Sequence, residues 1–92
     1  MAAVKQVKVG PVVFGARPLV LIAGPCVIES RKGCLALAAR LVRLAAGMKV
    51  PLVFKASFDK ANRTSIDAYR GPGITEGLAV LQEVRDTLGV PV

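Results

Sequence analysis

The chain has no histidine and no tryptophan, one tyrosine, three phenylalanines and two cysteines. Each scarcity removes a class of function. Without histidine, and with Cys26 and Cys34 the only thiols, no complete soft-ligand metal site can be assembled from these residues. With so few aromatic rings, the stacking platforms of single-strand nucleic-acid binders are mostly missing. Two cysteines without a convincing signal peptide describe a reduced chain and not a disulfide-stapled one. The weakly basic start and the apolar run before Gly24-Pro25-Cys26 imitate a lipoprotein signal, but Pro25 directly before the cysteine fits such a cleavage site poorly. No stretch reaches the ~20 apolar residues of a membrane span, because Arg17, Arg40 and Arg43 interrupt the candidates. A soluble cytoplasmic protein is expected, with neither membrane nor nucleic acid as partner.

Acidic residues are also scarce, six against thirteen Lys and Arg, which leaves a net charge of +7. A balance of that sign selects anionic partners, phosphorylated substrates among them. The cations are scattered except for one cluster between residues 55 and 70. Against this, 53% of the 92 residues are hydrophobic, above the ~45–50% of ordinary globular domains. So much apolar surface on so short a chain points to strands covered on both faces, or to part of a larger fold.

Residues 4–9 alternate Val with Lys or Gln, Gly10-Pro11 breaks the run, and Val12-Val13-Phe14 returns, which predicts a small hairpin. The uninterrupted apolar run 19–23 predicts a buried strand ended by Gly24-Pro25. Ser30 is placed to cap a helix over 31–46. Its stripe is Leu37, Leu41 and Leu44, with Ala38, Val42 and Ala45 beside it and Gly47 as its stop. Pro51-Leu52-Val53-Phe54 predicts a second buried strand. Ile74, Leu78, Leu81, Val84 and Leu88 then recur at helical spacing before Gly89, and residues 89–92 read as the start of a third strand. The order β-α-β-α-(β) predicts a parallel α/β fold, and two complete strands alone would leave apolar edges uncovered.

Ligands of parallel α/β folds gather at the C-terminal ends of the strands. Two segments occupy that position, 24–30 and 55–73. The second is far longer than the usual two to six residues of a βα loop. Its Lys55, Lys60, Arg63 and Arg70 supply cationic donors, and Ser57, Asn62, Thr64 and Ser65 supply neutral ones, a set suited to phosphate oxygens. Gly71-Pro72-Gly73 then leads to a helix N-terminus that also favours anions. From composition alone, a solvated loop with internal ion pairs to Asp59 and Asp67 explains the same residues. Cys26 is either a thiolate ligand at the strand mouth or a small buried residue, and Glu29 either acts in the site or favours the adjacent helix end.

Ile22-Ala23-Gly24-Pro25-Cys26-Val27-Ile28-Glu29-Ser30, the run 54–65 (FKASFDKANRTS) and Arg70-Gly71-Pro72-Gly73 together resemble the 3-deoxy-D-manno-octulosonate 8-phosphate synthases. The likeness covers essentially the whole chain and corresponds to about the first third of such an enzyme. It implies a (β/α)₈ barrel, incomplete here, with residues 1–15 as an N-terminal hairpin and 16–92 as two βα units and the start of a third strand. It implies a homotetramer condensing phosphoenolpyruvate with D-arabinose 5-phosphate, in the synthesis of lipopolysaccharide precursors. Phosphoenolpyruvate C3 attacks the sugar aldehyde, water adds at C2, and phosphate leaves. Carried over by position, Lys55 and Lys60 hold phosphoenolpyruvate with Ser57 nearby and are the implied catalytic residues. Asn62, Arg63 and Thr64 take the pentose or its phosphate, with a neighbouring subunit as a second source of these groups. Cys26 stands where the metal-dependent branch has Cys and the metal-independent branch has Asn, so a divalent ion such as Mn²⁺, Fe²⁺ or Zn²⁺ is implied, its other ligands outside this chain. Thr64 replaces a common Ser, and Asp67 a common His.

Two alternatives stand beside this reading. The 3-deoxy-heptulosonate 7-phosphate synthases share Gly-Pro-Cys and use erythrose 4-phosphate, but they typically carry Lys-Pro-Arg-Thr where this chain has Lys60-Ala61-Asn62-Arg63-Thr64. The other is a non-catalytic phosphate-binding or assembly segment. The 92 residues alone are expected to be inactive.

Overall fold

The computed structural model describes residues 5–59 and 70–92. Strands β1 (Val7–Val9) and β2 (Val12–Phe14) pair antiparallel, with Val7 opposite Phe14 and Val9 opposite Val12. Gly10 makes the tight turn at φ +58°, a conformation open to glycine because it has no Cβ.

The second sheet is parallel. Strand β3 (Leu21–Ala23) lies beside β4 (Leu52–Phe54) in the register Leu21–Leu52, Ile22–Val53 and Ala23–Phe54, and helix α1 (Arg31–Met48) makes the crossover. Helix α2 (Ile74–Leu88) follows. Pairing begins where the Leu21 N–H reaches the Pro51 carbonyl at 2.9 Å and ends where the Lys55 N–H reaches Ala23. The expected strand over 19–23 is therefore shortened, and Leu19, ahead of the first partner, is 85% exposed. Successive N–H groups of a strand point to opposite edges. Lys55 bonds toward β3, whereas the Phe54 N–H donates to the Pro91 carbonyl at 2.8 Å on the other edge. Residues 90–92 thus run along β4, hydrogen-bonded but short of a regular strand.

Ser30 caps α1 as expected, its extended backbone letting Oγ accept from the Gly33 N–H at 3.0 Å. The far end differs. Gly47 stays helical, and Lys49 turns left-handed at φ 57°, its N–H and that of Val50 satisfying the Ala46 and Ala45 carbonyls. Two carbonyls are satisfied there at the expense of a non-glycine residue in a glycine conformation.

The core face of α1 is also rotated from the leucine stripe. Cys34, Ala38 and Ala45 are buried, Leu37 and Leu41 are half-buried, and Leu44 is exposed. Small side chains on this face let the helix approach the sheet and α2 closely, and Cys34 sits in the core. On α2 the buried residues are Gly77, Val80 and Val84, while Ile74 and Leu78 face outward. Gly89 ends that helix at φ 68°, as its position predicts. One apolar cluster joins Ile28, the small face of α1, Leu52 and Phe54 of β4, Val80 and Val84, and Val90. An ion pair from Arg31 to Glu83 ties the start of α1 to the middle of α2.

Candidate functional site at the strand mouths

Because β3 and β4 are parallel, the segments after them open at the same end. The β3 segment starts at Gly24, and a Cβ there would overlap the Lys55 carbonyl, so glycine lets the two chains touch immediately beyond their last ladder bond. Val27 and Ile28 are buried and anchor this loop, and Ile28 donates its N–H to the Ser57 carbonyl at 2.9 Å. Cys26 and Lys55 are exposed between these anchors, and Ser57 is half-buried. The fold thus brings together three of the seven expected site residues, Cys26, Lys55 and Ser57. Lys60, Asn62, Arg63 and Thr64 lie outside the described residues.

Arg70, expected among the phosphate-binding cations, is bound to a carboxylate. Its Nε donates to Asp59 Oδ1 at 3.0 Å and its Nη2 to Oδ2 at 2.7 Å. These bonds raise the guanidinium pKa, first through the hydrogen bond and then through the opposite charge. Of the two readings of this loop, internal pairing describes Arg70.

Sequence reasoning did not single out Phe58. Its carbonyl accepts from the Gly73 N–H at 3.0 Å, and both Gly71 and Gly77 lie so close that a Cβ on either would collide with it. The recoverable signal was the three glycines at 71, 73 and 77 that follow Phe58 in the sequence. Together Phe58, Asp59 and residues 70–74 line a cleft of about 410 Å³. A smaller cleft of about 190 Å³ lies between residues 25–30 and the first turns of α1, with Glu29 and Ser30 on its wall.

The donor set does not make a metal site by itself. Among the described residues no three His, Cys, Asp or Glu side chains come together. Cys26 offers one exposed sulfur, whereas burial pushes the Cys34 thiol up, away from the thiolate that binds metal. No helix among the described residues is long and apolar enough to cross a membrane.

Comparison with known proteins places these segments. The model of the DAHP synthetase I family matches residues 4–92. A protein of Geobacter metallireducens named 2-dehydro-3-deoxyphosphooctonate aldolase is 56% identical over 90 residues, 98% of this chain and 32% of its own length. Proteins of the same name from Geobacter sulfurreducens (56% over 89 residues; 96% of this chain, 33% of its own) and Geotalea daltonii (53% over 90 residues; 97% and 33%) match equally broadly. The chain spans about a third of the length of the curated relatives it matches. With this match running from the hairpin to the segment beside β4, the chain belongs to the DAHP synthetase I family.

Proposed function

We propose that these 92 residues form the first part of a (β/α)₈ barrel enzyme, a cytoplasmic homotetramer condensing phosphoenolpyruvate with D-arabinose 5-phosphate. Residues 1–15 would be the hairpin, and 16–92 two βα units and the opening of a third strand. The observation that carries the reading is the joining of the Cys26 loop to the Lys55–Ser57 segment at one end of a parallel sheet. That is where enzymes of this architecture hold substrate. The names of the relatives support the choice of reaction.

In this reading the Lys55 and Lys60 ammonium groups hold the anionic phosphoenolpyruvate, with Ser57 beside them. Asn62, Arg63 and Thr64 hold the pentose phosphate. A carbon–carbon bond forms from phosphoenolpyruvate C3 to the aldehyde carbon, whose oxygen takes up a proton. Water adds at C2, and the C2–O bond to phosphate breaks, releasing phosphate. Fixed cations suit this sequence because both substrates are phosphorylated and must be held close despite their repulsion. A divalent ion such as Mn²⁺, Fe²⁺ or Zn²⁺ would find one ligand here, Cys26, and take the rest from outside the 92 residues; the described residues alone do not fit it.

The test is a chimera in which this chain replaces the matching third of the Geobacter sulfurreducens relative. It should release phosphate from phosphoenolpyruvate with arabinose 5-phosphate, and Lys55→Ala should abolish turnover. Preferential use of erythrose 4-phosphate would transfer the assignment to the seven-carbon synthases. The 92-residue chain alone should form no product; if the chimera is also inert while the chain binds inorganic phosphate, a non-catalytic anion-binding role is the better reading.

A further inference from the structure

The loop after β4 leaves the sheet through residues 57–59 and returns through 70–73, and these two stems are locked together. The Asp59–Arg70 pair is a two-bond fork, an arrangement that fixes direction as well as distance. Beside it the Gly73 N–H bonds the Phe58 carbonyl. Gly71, at φ +121°, lies against that same carbonyl and against Val27, the neighbour of Cys26, and Gly77 closes on the Phe58 side chain. The outgoing stem is tied in turn to the Cys26 loop through Ser57 and Ile28. An isolated exposed ion pair contributes little. This one shares its stem with one backbone hydrogen bond and two glycine contacts that admit no side chain.

We infer that Asp59 and Arg70 are positioning residues that fix the base of the segment 60–69 without touching substrate. The inference deepens the proposed function, resting on the reading that Lys60, Asn62, Arg63 and Thr64 hold the phosphorylated substrates. In sequence those four residues lie between Asp59 and Arg70, so the fork fixes the two residues that flank their segment. It also neutralises Arg70, so an arriving phosphate meets an ion pair and not a free guanidinium. Loss of the clamp widens the set of stem conformations that binding must narrow again, and that cost falls on substrate affinity. Bound substrate then restores much of the order, which spares the chemical step.

Kinetics and amide exchange of the chimera test this. Asp59→Ala and Arg70→Ala should each raise KM for arabinose 5-phosphate by about tenfold, the scale of a lost charge-assisted fork, with kcat within about threefold. Both should speed exchange of the Gly73 amide, whose N–H bonds the Phe58 carbonyl. The exchanged pair, Asp59→Arg with Arg70→Asp, should recover most of both losses. A KM that is unchanged or lowered in Asp59→Ala would overturn the inference, because freeing Arg70 would then help or leave binding alone. An exchange rate that rises with no change in KM would overturn it too, leaving a structural pair only. If Arg70→Ala fails to fold, Arg70→Lys keeps the charge and loses the fork, and the same two readouts apply. Should the unaltered chimera be inactive, the proposed reaction fails, whereas Gly73 exchange still reports on the clamp.

Discussion

Strands β3 and β4 are both three-residue apolar runs, yet they are buried differently. All three residues of β4 are buried, with Phe54 1% exposed, whereas Ile22 at the centre of β3 is 53% exposed. The difference is one of position. β4 has hydrogen-bonded chain on both edges and packs into the cluster with α1, α2 and Val90, whereas β3 has a neighbour on one edge only among the described residues. An apolar run states that a strand can be buried on both faces; its neighbours decide whether it is.

The largest expected effect attacks the buried member of the pair. Phe54→Ala should destabilise the chain by about 3–5 kcal/mol, against less than about 1 kcal/mol for Ile22→Ala, in urea unfolding of the 92-residue protein. Repeating Ile22→Ala in the chimera sharpens the contrast. If the proposed barrel covers that face, the cost should rise to about 2–4 kcal/mol. An unchanged cost would mean that Ile22 is exposed there too.

Next in size is the point where the two strand mouths meet. Gly24→Ala forces a methyl group into the Lys55 carbonyl and should cost about 1–3 kcal/mol or more, with loss of the Lys55–Ala23 ladder bond visible as faster amide exchange. A smaller effect comes from the thiol packed behind β4. Burial raises the folded pKa of Cys34, so below the ordinary thiol value of about 8.5–9 both folded and unfolded states keep the proton and stability is flat. As pH rises past that value the unfolded chain releases its proton first. Stability should therefore fall until the folded pKa is passed, and Cys34→Ala should remove the slope. Maleimide should label Cys26 in the folded chain and Cys34 only on unfolding. The smallest effect is a gain: Gly47→Ala, with open space around the new methyl inside α1, should stabilise by about 0.5–1 kcal/mol.

Much of the layout was legible in local chemistry. Gly10-Pro11 announced the hairpin turn, Ser30 the start of α1, and Gly89 the end of α2, because each depends on the residue's own backbone preference or on a hydrogen bond a few residues away. The helix stripes were harder to read. Leucine spacing suggested that Leu44 faced the core, but the face that packs is lined by Cys34, Ala38 and Ala45, since close approach is rewarded more than bulk there. Gly47 was the obvious stop for α1, yet the helix runs on to a left-handed Lys49, whose N–H and that of Val50 satisfy the last carbonyls.

For the site, the sequence by itself determined which chemistry is on hand: a basic loop, a thiol after Gly-Pro, and motifs similar to an enzyme family. Residue type and order are enough for that. Only the tertiary structure decided that Arg70 pairs with Asp59, that Gly24 is the crossing point of two strand mouths, and that Phe58 is the hub of the loop base. These outcomes depend on which partner lies within hydrogen-bond or contact distance. Charge and composition leave that open until the parallel pairing of β3 and β4 brings the segments together.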